Sequence, residues 1–540
     1  MGEFYRLIPD VQLRGWQRLP YALVHRGLGK VNFLNKAVFG YVSLFNGLCD
    51  ISISLVPQKA RDLAAEGLKQ GWLEKLDAPE PLNPDQEYRF YDNRFIRTIH
   101  WSITGKCNYR CKHCYMSAPE AKLGELAHQT VMDIIEQMAD CGVISVTLTG
   151  GEPLVRSDFW EIVDALQKHK IRITQIYSNG RLVNEALLDG LLKRGLQPEF
   201  NMSYDGDEGW HDWMRGIPEA GKIVLDAFDL CHAKGFPTGS ELCLHKGNRH
   251  LLRQSLNTLA AHQVGSCKVN PVADTDLWRR FGADYSISIP ETLETYLEYA
   301  PHFFEDGMPI SLMLGGFFFC RKGEDTWEIP LQKYDKTDQC LRQTVCGHAR
   351  MVMYLSPEGR MLPCMSLSGM EIQKDYPLIS EIGLRKGMSD SKYMELIDTR
   401  VEALFAKTPE CGKCEYAKIC AGGCRASGLA SEPDNIFAPD RAACAIFREG
   451  YAKRLEAALR DLAPPQAGSL AERNVSKAPP AHQNPRQELE TSLQGYWLRR
   501  AGGQPKHPDL CRRHRRAARG QQRRAAPWQI ASAPSSCAAR

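Results

Sequence analysis

Lys106-Cys-Asn-Tyr-Arg-Cys-Lys-His-Cys-Tyr115 is the stretch that decides the fold of this chain, because it spaces three cysteines as C-x3-C-x2-C. Cys107, Cys111 and Cys114 offer three thiolates, which are soft ligands suited to iron–sulfur iron. Three thiolates can hold three irons of a [4Fe–4S] cube and leave the fourth iron open for a cofactor. We therefore predict these cysteines as the catalytic metal ligands.

A glycine-rich turn lies thirty-five residues beyond Cys114. Thr149-Gly150-Gly151-Glu152-Pro153 directly follows the β-rich run Val143-Ile-Ser-Val-Thr-Leu148. Two glycines let the backbone approach a ligand closely, and a carbonyl or carboxylate there could accept a hydrogen bond from an ammonium group. A zinc site is the alternative interpretation of the cysteines, since C-x2-C pairs are common zinc ligands. The position of the glycine-rich turn favours iron–sulfur.

Together the two motifs resemble the signature of the radical S-adenosylmethionine (SAM) superfamily. The resemblance implies that the open iron chelates SAM, whose reductive cleavage yields a hydrogen-abstracting 5′-deoxyadenosyl radical. Polar residues after the third and fourth strands extend the expected SAM site, because hydroxyls and a guanidinium suit a ribose and a carboxylate. The predicted cofactor-binding residues are His113, Tyr115, Gly150, Gly151, Glu152, Pro153, Ser178, Asn179, Ser203, Asp205 and Arg215.

Strand and helix patterns alternate between residues 95 and 310. Strands are predicted at 98–104, 173–177, 199–203, 237–244 and 266–269, and the apolar spacing within 129–140 predicts an amphipathic helix. Six βα units predict an α/β fold with a parallel sheet and outer helices. The expected architecture is an open, partial (β/α)6 TIM-like barrel of the radical SAM kind, with its chemistry at the C-terminal ends of the strands.

Residues 1–85 are predicted to form a small separate domain, with β-like runs at 12–19 and 21–25 and helical runs at 32–45 and 56–70. This order resembles the winged-helix recognition element of peptide-modifying enzymes, which binds a leader peptide as an added strand. A nonspecific helical cap is the alternative. Residues 86–94 are interpreted as a linker.

A second group of cysteines lies between residues 335 and 450. Its spacing, C-x12-G-x4-C, then C-x2-C-x5-C-x3-C, then a last cysteine, resembles the SPASM domain of radical SAM enzymes. The resemblance implies two auxiliary [4Fe–4S] clusters, and two structural zinc sites are the alternative. Cys340 is the least certain ligand, and Cys320 is a possible substitute for it. The implied ligand sets are Cys340, Cys346, Cys364 and Cys424 for one cluster, and Cys411, Cys414, Cys420 and Cys444 for the other.

Composition limits the partners and the location. Residues 465–540 carry 14 Lys/Arg and 4 Asp/Glu, so against a net charge of +4 for the chain the first 464 residues carry −6. That body lacks the basic character of a nucleic-acid-binding protein, and no apolar run is long enough to span a membrane. The 465–540 segment is predicted to be a disordered basic tail. Nineteen cysteines without a secretion signal favour a reducing cytoplasm.

The predicted function is that of a SPASM enzyme that modifies a ribosomally made precursor peptide, by thioether or other crosslink formation. A flavodoxin or ferredoxin is the expected electron donor. The alternatives are a formylglycine-forming sulfatase maturase, a haem-biosynthesis enzyme, or a non-enzymatic iron–sulfur protein. The sulfatase-maturing group places an Asp base after the cysteine of G-x4-C, whereas this chain has Met365, which cannot take a proton.

Overall fold

The computed structural model describes residues 2–118, 122–333 and 337–465 of the chain. The basic segment predicted over 465–540 therefore lies outside the described residues from 466 onward.

Two small sheets make up the N-terminal part of the chain. Their elements are β1 (Phe4–Leu7), β2 (Val11–Gln17), β3 (Leu19–His25), β4 (Lys30–Phe33), α1 (Lys36–Val42), β5 (Asn46–Asp50), α2 (Gln58–Lys69), β6 (Leu73–Leu76) and β7 (Arg89–Arg94). One sheet has the strand order β5-β1-β6 and the other β4-β3-β2-β7.

Two local predictions for this part were wrong. The helix expected over 32–45 begins only after Asn35, whose side chain accepts a hydrogen bond from Val38 N at 2.9 Å, and β4 occupies the residues before it. The segment interpreted as a linker contains β7, which pairs in parallel with β2. Tertiary pairing decides β7, because its own sequence, Arg-Phe-Tyr-Asp-Asn-Arg, is too polar to predict a strand.

The middle of the chain alternates strands and helices. They are β8 (Thr98–Thr104), α3 (His128–Asp140), β9 (Ser145–Gly150), α4 (Phe159–Lys168), β10 (Arg172–Ser178), α5 (Glu185–Lys193), β11 (Glu199–Ser203), α6 (Glu208–Arg215), α7 (Ala220–Ala233), β12 (Thr238–Leu244), α8 (Leu252–Ala261), β13 (Ser266–Pro271), α9 (Asp276–Phe281), α10 (Ile289–Glu305) and β14 (Ser311–Leu314).

Strands β8 to β14 pair in parallel, each with the next along the chain. The predicted strands at 98–104 and 199–203 have the predicted bounds, and the apolar face of α3 is buried as expected. The predicted fold class, an α/β partial (β/α)6 barrel, is confirmed. The parallel sheet extends one strand beyond the predicted limit of residue 310, because β14 adds to the edge of β13.

The cysteine-rich part continues the same sheet. Its elements are β15 (Phe318–Cys320), β16 (Trp327–Glu328), α11 (Gly347–Met351), β17 (Val352–Leu355), β18 (Met361–Leu362), α12 (Ile379–Gly387), α13 (Lys392–Asp398), α14 (Val401–Lys407), α15 (Pro409–Gly412), α16 (Ala417–Cys420), α17 (Arg425–Ser431), α18 (Arg441–Arg448) and α19 (Tyr451–Leu459). Strand β17 pairs in parallel with β8, so this part is joined to the barrel at its first strand.

The N-terminal sheets are anchored to the barrel by a buried tryptophan. Trp16 is fully buried, stacks on Tyr91 at 5.4 Å and packs edge-on against Phe95 at 4.7 Å between ring centroids. Its indole nitrogen donates to Cys141 O, at the end of α3, over 3.1 Å. Arg94 adds a bidentate ion pair to Asp398, in α13, at 3.0 and 2.7 Å.

Replacing Trp16 with Ala should lower the free energy of unfolding by about 3–5 kcal/mol, because it removes a large buried ring and leaves a cavity. Chemical denaturation of the purified protein measures the change. Leu28→Ala is the matched control, since Leu28 is 61% exposed and its truncation should change stability by less than about 0.5 kcal/mol. Equal stability of Trp16→Ala and the wild type would contradict the anchoring role.

Candidate active site

The loop that carries the first three cysteines follows β8 directly and is held by backbone hydrogen bonds at two places. Glu152 N, in the glycine-rich turn, donates to Lys106 O at 2.9 Å. Arg110 N donates to Arg215 O at 3.1 Å, and Lys112 N donates to Met214 O at 2.9 Å. The turn after β9 and the C-terminal end of α6 therefore fix the position of the loop.

Each of the three cysteine sulfurs has a nearby N–H donor, which is the environment a thiolate ligand requires. Tyr109 N donates to Cys107 Sγ and Ala118 N to Cys114 Sγ, both at 3.4 Å. Arg215 Nη1 lies 3.9 Å from Cys111 Sγ. The residues present therefore fit an iron–sulfur cluster.

Burial raises the pKa of the Cys107 thiol to about 12 and that of Cys111 to about 11. A bound metal would favour the thiolate form of these groups. Within the described residues, no three His, Cys, Asp or Glu side chains converge on a point that could hold a single metal ion.

The glycine-rich turn packs against the cysteine loop without room for side chains. A Cβ on Gly151 would lie 2.3 Å from Lys106 O and 2.9 Å from Cys107 Cβ. Gly150 has φ +154° and a Cβ there would lie 2.5 Å from Thr104 O. Both glycines are required by this close approach, and Pro153 then opens a short 3₁₀ turn.

Glu152 links the ends of two strands. Its fully buried carboxylate accepts hydrogen bonds from Ser178 Oγ at 3.1 Å and from Asn179 N at 2.8 Å. Burial raises the pKa of Glu152 to about 7, although these donors oppose the shift. Asn179 in turn donates through Nδ2 to Asn108 Oδ1 at 2.7 Å, so the end of β10 contacts the cysteine loop.

Asp205 and Arg215 form a buried ion pair beside the loop. Arg215 Nε donates to Asp205 Oδ2 at 2.8 Å, and His211 Nδ1 lies 3.2 Å from the same oxygen. Burial by itself would raise the pKa of Asp205, but the charge of Arg215 and the adjacent His211 hold it well below its usual range. His211 Nδ1 accepts a hydrogen bond from Asp205 N at 3.0 Å. Cys243 N donates to the other oxygen at 3.0 Å. We infer that Asp205 positions Arg215.

The remaining predicted cofactor residues also border this site. His113 Nδ1 is buried without a partner among the described residues, and burial, followed by the Arg215 charge, lowers the pKa of His113 to about 3. Burial, followed by Tyr354, raises the pKa of Tyr115. Ser203 ends β11 and lies opposite Glu241 in register.

Seven of the eight predicted ligands in the second group of cysteines lie in two sets. Tyr416 N donates to Cys414 Sγ at 3.4 Å, and both residues line one cavity. That cavity is lined by four of the predicted ligands, Cys411, Cys414, Cys420 and Cys444, together with Phe447 and Arg448. In the other set, burial and then the charges of Cys424 and Cys346 raise the pKa of Cys364 to about 12, so these three cysteines are neighbours.

Cys340 and Cys320 are both buried, and neither is brought against another cysteine by a hydrogen bond. Cys320 Sγ donates a hydrogen bond to Glu324 O at 3.2 Å, so the thiol already has a partner at the edge of the sheet. Burial raises the pKa of Cys340, and its charged neighbours are Lys418 and Asp338.

Sequence reasoning missed several polar residues at this site. Neither Asn108 nor His211 was predicted: Asn108 contacts Asn179, which lies 71 residues away, and His211 contacts Asp205 across one turn of chain. Cys243, which belongs to none of the predicted ligand sets, is half-buried, and its backbone N–H donates to Asp205.

Comparison with known proteins gives one family and several relatives. Residues 101–251 match the radical SAM superfamily. An AdoMet-dependent heme synthase of Methanosarcina barkeri is 25% identical over 367 residues, which is 63% of this chain and 94% of that protein. Mycofactocin maturase MftC of Mycobacterium tuberculosis is 24% identical over 424 residues, which is 75% of this chain and 96% of that protein.

The fold is similar to that of Streptococcus suis SuiB, solved bound to its precursor peptide SuiA. The TM-score is 0.56 at 13% identity, over 82% of this chain and 100% of that chain. Within the described residues, no helix combines the length and the apolar character needed to cross a membrane.

Replacing Cys107, Cys111 and Cys114 together with Ala should abolish 5′-deoxyadenosine formation and lower the iron content by about four per chain, the content of one cube. Anaerobic reconstitution, iron analysis and chromatography measure both quantities. Cys231→Ala, a buried cysteine of α7 outside all predicted ligand sets, is the control. Normal deoxyadenosine formation by the triple variant would refute the assignment.

Asp205→Asn should weaken SAM binding by about tenfold or more, because Arg215 loses the charge that orients it. Equilibrium dialysis with the reconstituted protein measures the affinity. Asp226→Asn, on the exposed face of α7, is the matched control and should leave the affinity unchanged. An unchanged affinity in Asp205→Asn would show that Arg215 does not depend on this partner.

Proposed function

We propose that this chain, which is a radical SAM enzyme, modifies a ribosomally made precursor peptide by forming a thioether or another crosslink. The proposal is supported by three features that occur together. They are the site built on Cys107, Cys111 and Cys114, the two further cysteine sets, and an open sheet edge in the N-terminal part.

The cofactors follow from the cysteine sets. When bound, a [4Fe–4S] cluster with SAM supplies the oxidising radical chemistry of this superfamily. Cys107, Cys111 and Cys114 would hold that cluster, Glu152 would face the SAM ammonium group, and Arg215 its carboxylate. The two further sets would hold auxiliary clusters, with Cys340 completing the set of Cys346, Cys364 and Cys424. Cys340 is preferred to Cys320 because the thiol of Cys320 is already engaged.

The feature that most supports a peptide substrate is the free edge of β6. Ile8 N donates a hydrogen bond to Trp72 O, and these two residues lie directly opposite each other. The antiparallel register continues two residues further on, where Arg6 lies opposite Glu74. Hydrogen-bonded and non-bonded pairs alternate in such a ladder, so Lys75, opposite Tyr5, directs its backbone N–H and C=O away from β1. Within the described residues no strand pairs with that side of β6. An extended leader peptide could add there.

Met365 favours crosslinking over formylglycine formation. The residue follows Cys364 in a short 3₁₀ turn and has no group that accepts a proton at neutral pH. Crosslinking removes two hydrogens from the peptide and needs an electron acceptor, a role suited to an auxiliary cluster.

A tetrapyrrole substrate is the second candidate. The heme synthase of Methanosarcina barkeri supports it, because this chain matches nearly the whole of that protein. The peptide substrate is preferred because the peptide-maturing relative matches a larger share of this chain. We also propose a flavodoxin or ferredoxin as electron donor and a reducing, cytoplasmic location, in which nineteen cysteines stay as thiols.

Lys75→Pro should weaken binding of a candidate precursor, sought as a short cysteine-rich peptide encoded beside the gene, by about tenfold or more, because it removes the outward N–H of the β6 edge. Lys75→Ala is the matched control and should bind normally, since it keeps the backbone donor. Fluorescence anisotropy with a labelled precursor measures both. Deleting residues 1–85 is unsuitable, because it would leave β7 without its partner β2. Equal affinity of the Pro and Ala variants would refute leader binding at β6.

The reconstituted enzyme should contain about twelve irons per chain, four for each of three cubes. Turnover of the precursor should give a product lighter by two hydrogen atoms, with one thiol fewer if the bond is a thioether. Iron analysis and mass spectrometry after thiol alkylation measure these. About four irons with bound zinc would refute the auxiliary clusters, and formylglycine in the product would refute crosslinking.

A further inference from the structure

We propose that Lys268, on the inner face of the barrel sheet, binds a carboxylate of the substrate. The inference rests on the proposed function only in assuming that the substrate enters the barrel. Lys268 belongs to none of the motifs identified in the sequence.

Strand geometry places Lys268 on the inner face. Its neighbours along β13, Cys267 and Val269, are buried in the apolar core under the helices, and side chains alternate between the two faces of a strand. In register, Lys268 lies opposite Glu241 of β12 and Met313 of β14, and Glu241 lies opposite Ser203 of β11. These residues form one row across the inner face.

Within the described part of the chain, the ammonium group of Lys268 has no protein partner. Lys268 is exposed, and among the described residues no acceptor forms a hydrogen bond or ion pair with it within 4.0 Å. Glu241 lies opposite Lys268 in register, but no ion pair joins the two side chains within the described residues. An unpaired cation inside a barrel is suited to an anionic ligand.

One neutral histidine lies near the ammonium group. Burial, followed by the nearby His348 and Lys268, lowers the pKa of His100 to about 4. The His100 ring therefore keeps one N–H at neutral pH, which can donate to a carboxylate. His100 Nε2 is buried and has no partner among the described residues.

The position is suited to substrate rather than to SAM. Cys243 lies two residues beyond Glu241 on β12, about 7 Å along the strand, and its neighbours are Asp205, Arg215 and Cys111. Lys268 is one strand further away. His348 follows Cys346, a predicted auxiliary ligand, by two residues. The carboxylate site therefore lies between the catalytic loop and the auxiliary cysteines.

A carboxylate could come from an acidic residue of a peptide or from a propionate of a tetrapyrrole, so the test has two arms. The peptide arm compares acetyl-Gly-Glu-Gly-Glu-Gly-amide with its Gln twin. The tetrapyrrole arm compares iron coproporphyrin III with its tetramethyl ester. Binding to the reconstituted enzyme with SAM is measured anaerobically by equilibrium dialysis, and 5′-deoxyadenosine formation without substrate reports that the SAM site is intact.

The wild type should bind at least one acidic probe about tenfold more tightly than its neutral twin. Lys268→Gln should lose this preference, Lys268→Arg should keep it, and the surface control Lys222→Gln, in α7, should behave as the wild type. A preference in the tetrapyrrole arm alone would support the carboxylate site while counting against the peptide function. No preference in either arm, a preference kept by Lys268→Gln, or an equal loss in Lys222→Gln would overturn the inference.

Discussion

The backbone hydrogen bonds that hold the cysteine loop are the constraint on which the rest of this site depends. Lys106 O accepts from the glycine-rich turn, and the loop donates to the last carbonyls of α6 through Arg110 and Lys112. The last carbonyls of a helix have no donor within the helix. The N–H groups of the loop and the carbonyls of the helix end therefore satisfy each other's hydrogen bonding. The same helix end carries Arg215, and the loop position therefore also places a guanidinium beside Cys111.

Burial gives these polar contacts their strength. Asp205 and Glu152 are fully buried, yet each is surrounded by donors, so each is held in one orientation. A buried carboxylate without donors would be costly, and removing one partner from such a network leaves the other unsatisfied. The network thus joins the ends of β9, β10, β11 and β12 around one loop, which explains how residues far apart in sequence act at one place.

The N-terminal sheets are held against the rest of the chain by specific side-chain contacts. Trp16 and Arg94 connect them to α3 and α13, and β17 joins the cysteine-rich part to β8. A peptide held at β6 would therefore be attached to a body whose position relative to the barrel is fixed by packing. Glu241 and Lys268 provide charged groups inside the barrel that distinguish one substrate from another.

Sequence alone determined the features that depend on local spacing. The cysteine motifs, Gly150 with Gly151, the strands at 98–104 and 199–203 and the apolar face of α3 are all set by near neighbours, so pattern and period reveal them. Only the tertiary structure decided that 89–94 is a strand, that Arg215 lies beside Cys111, and that Lys268 faces the inside of the barrel. The physical reason is that each of these depends on a partner far away in the chain, and a pairing between distant strands leaves no periodic signal in either one.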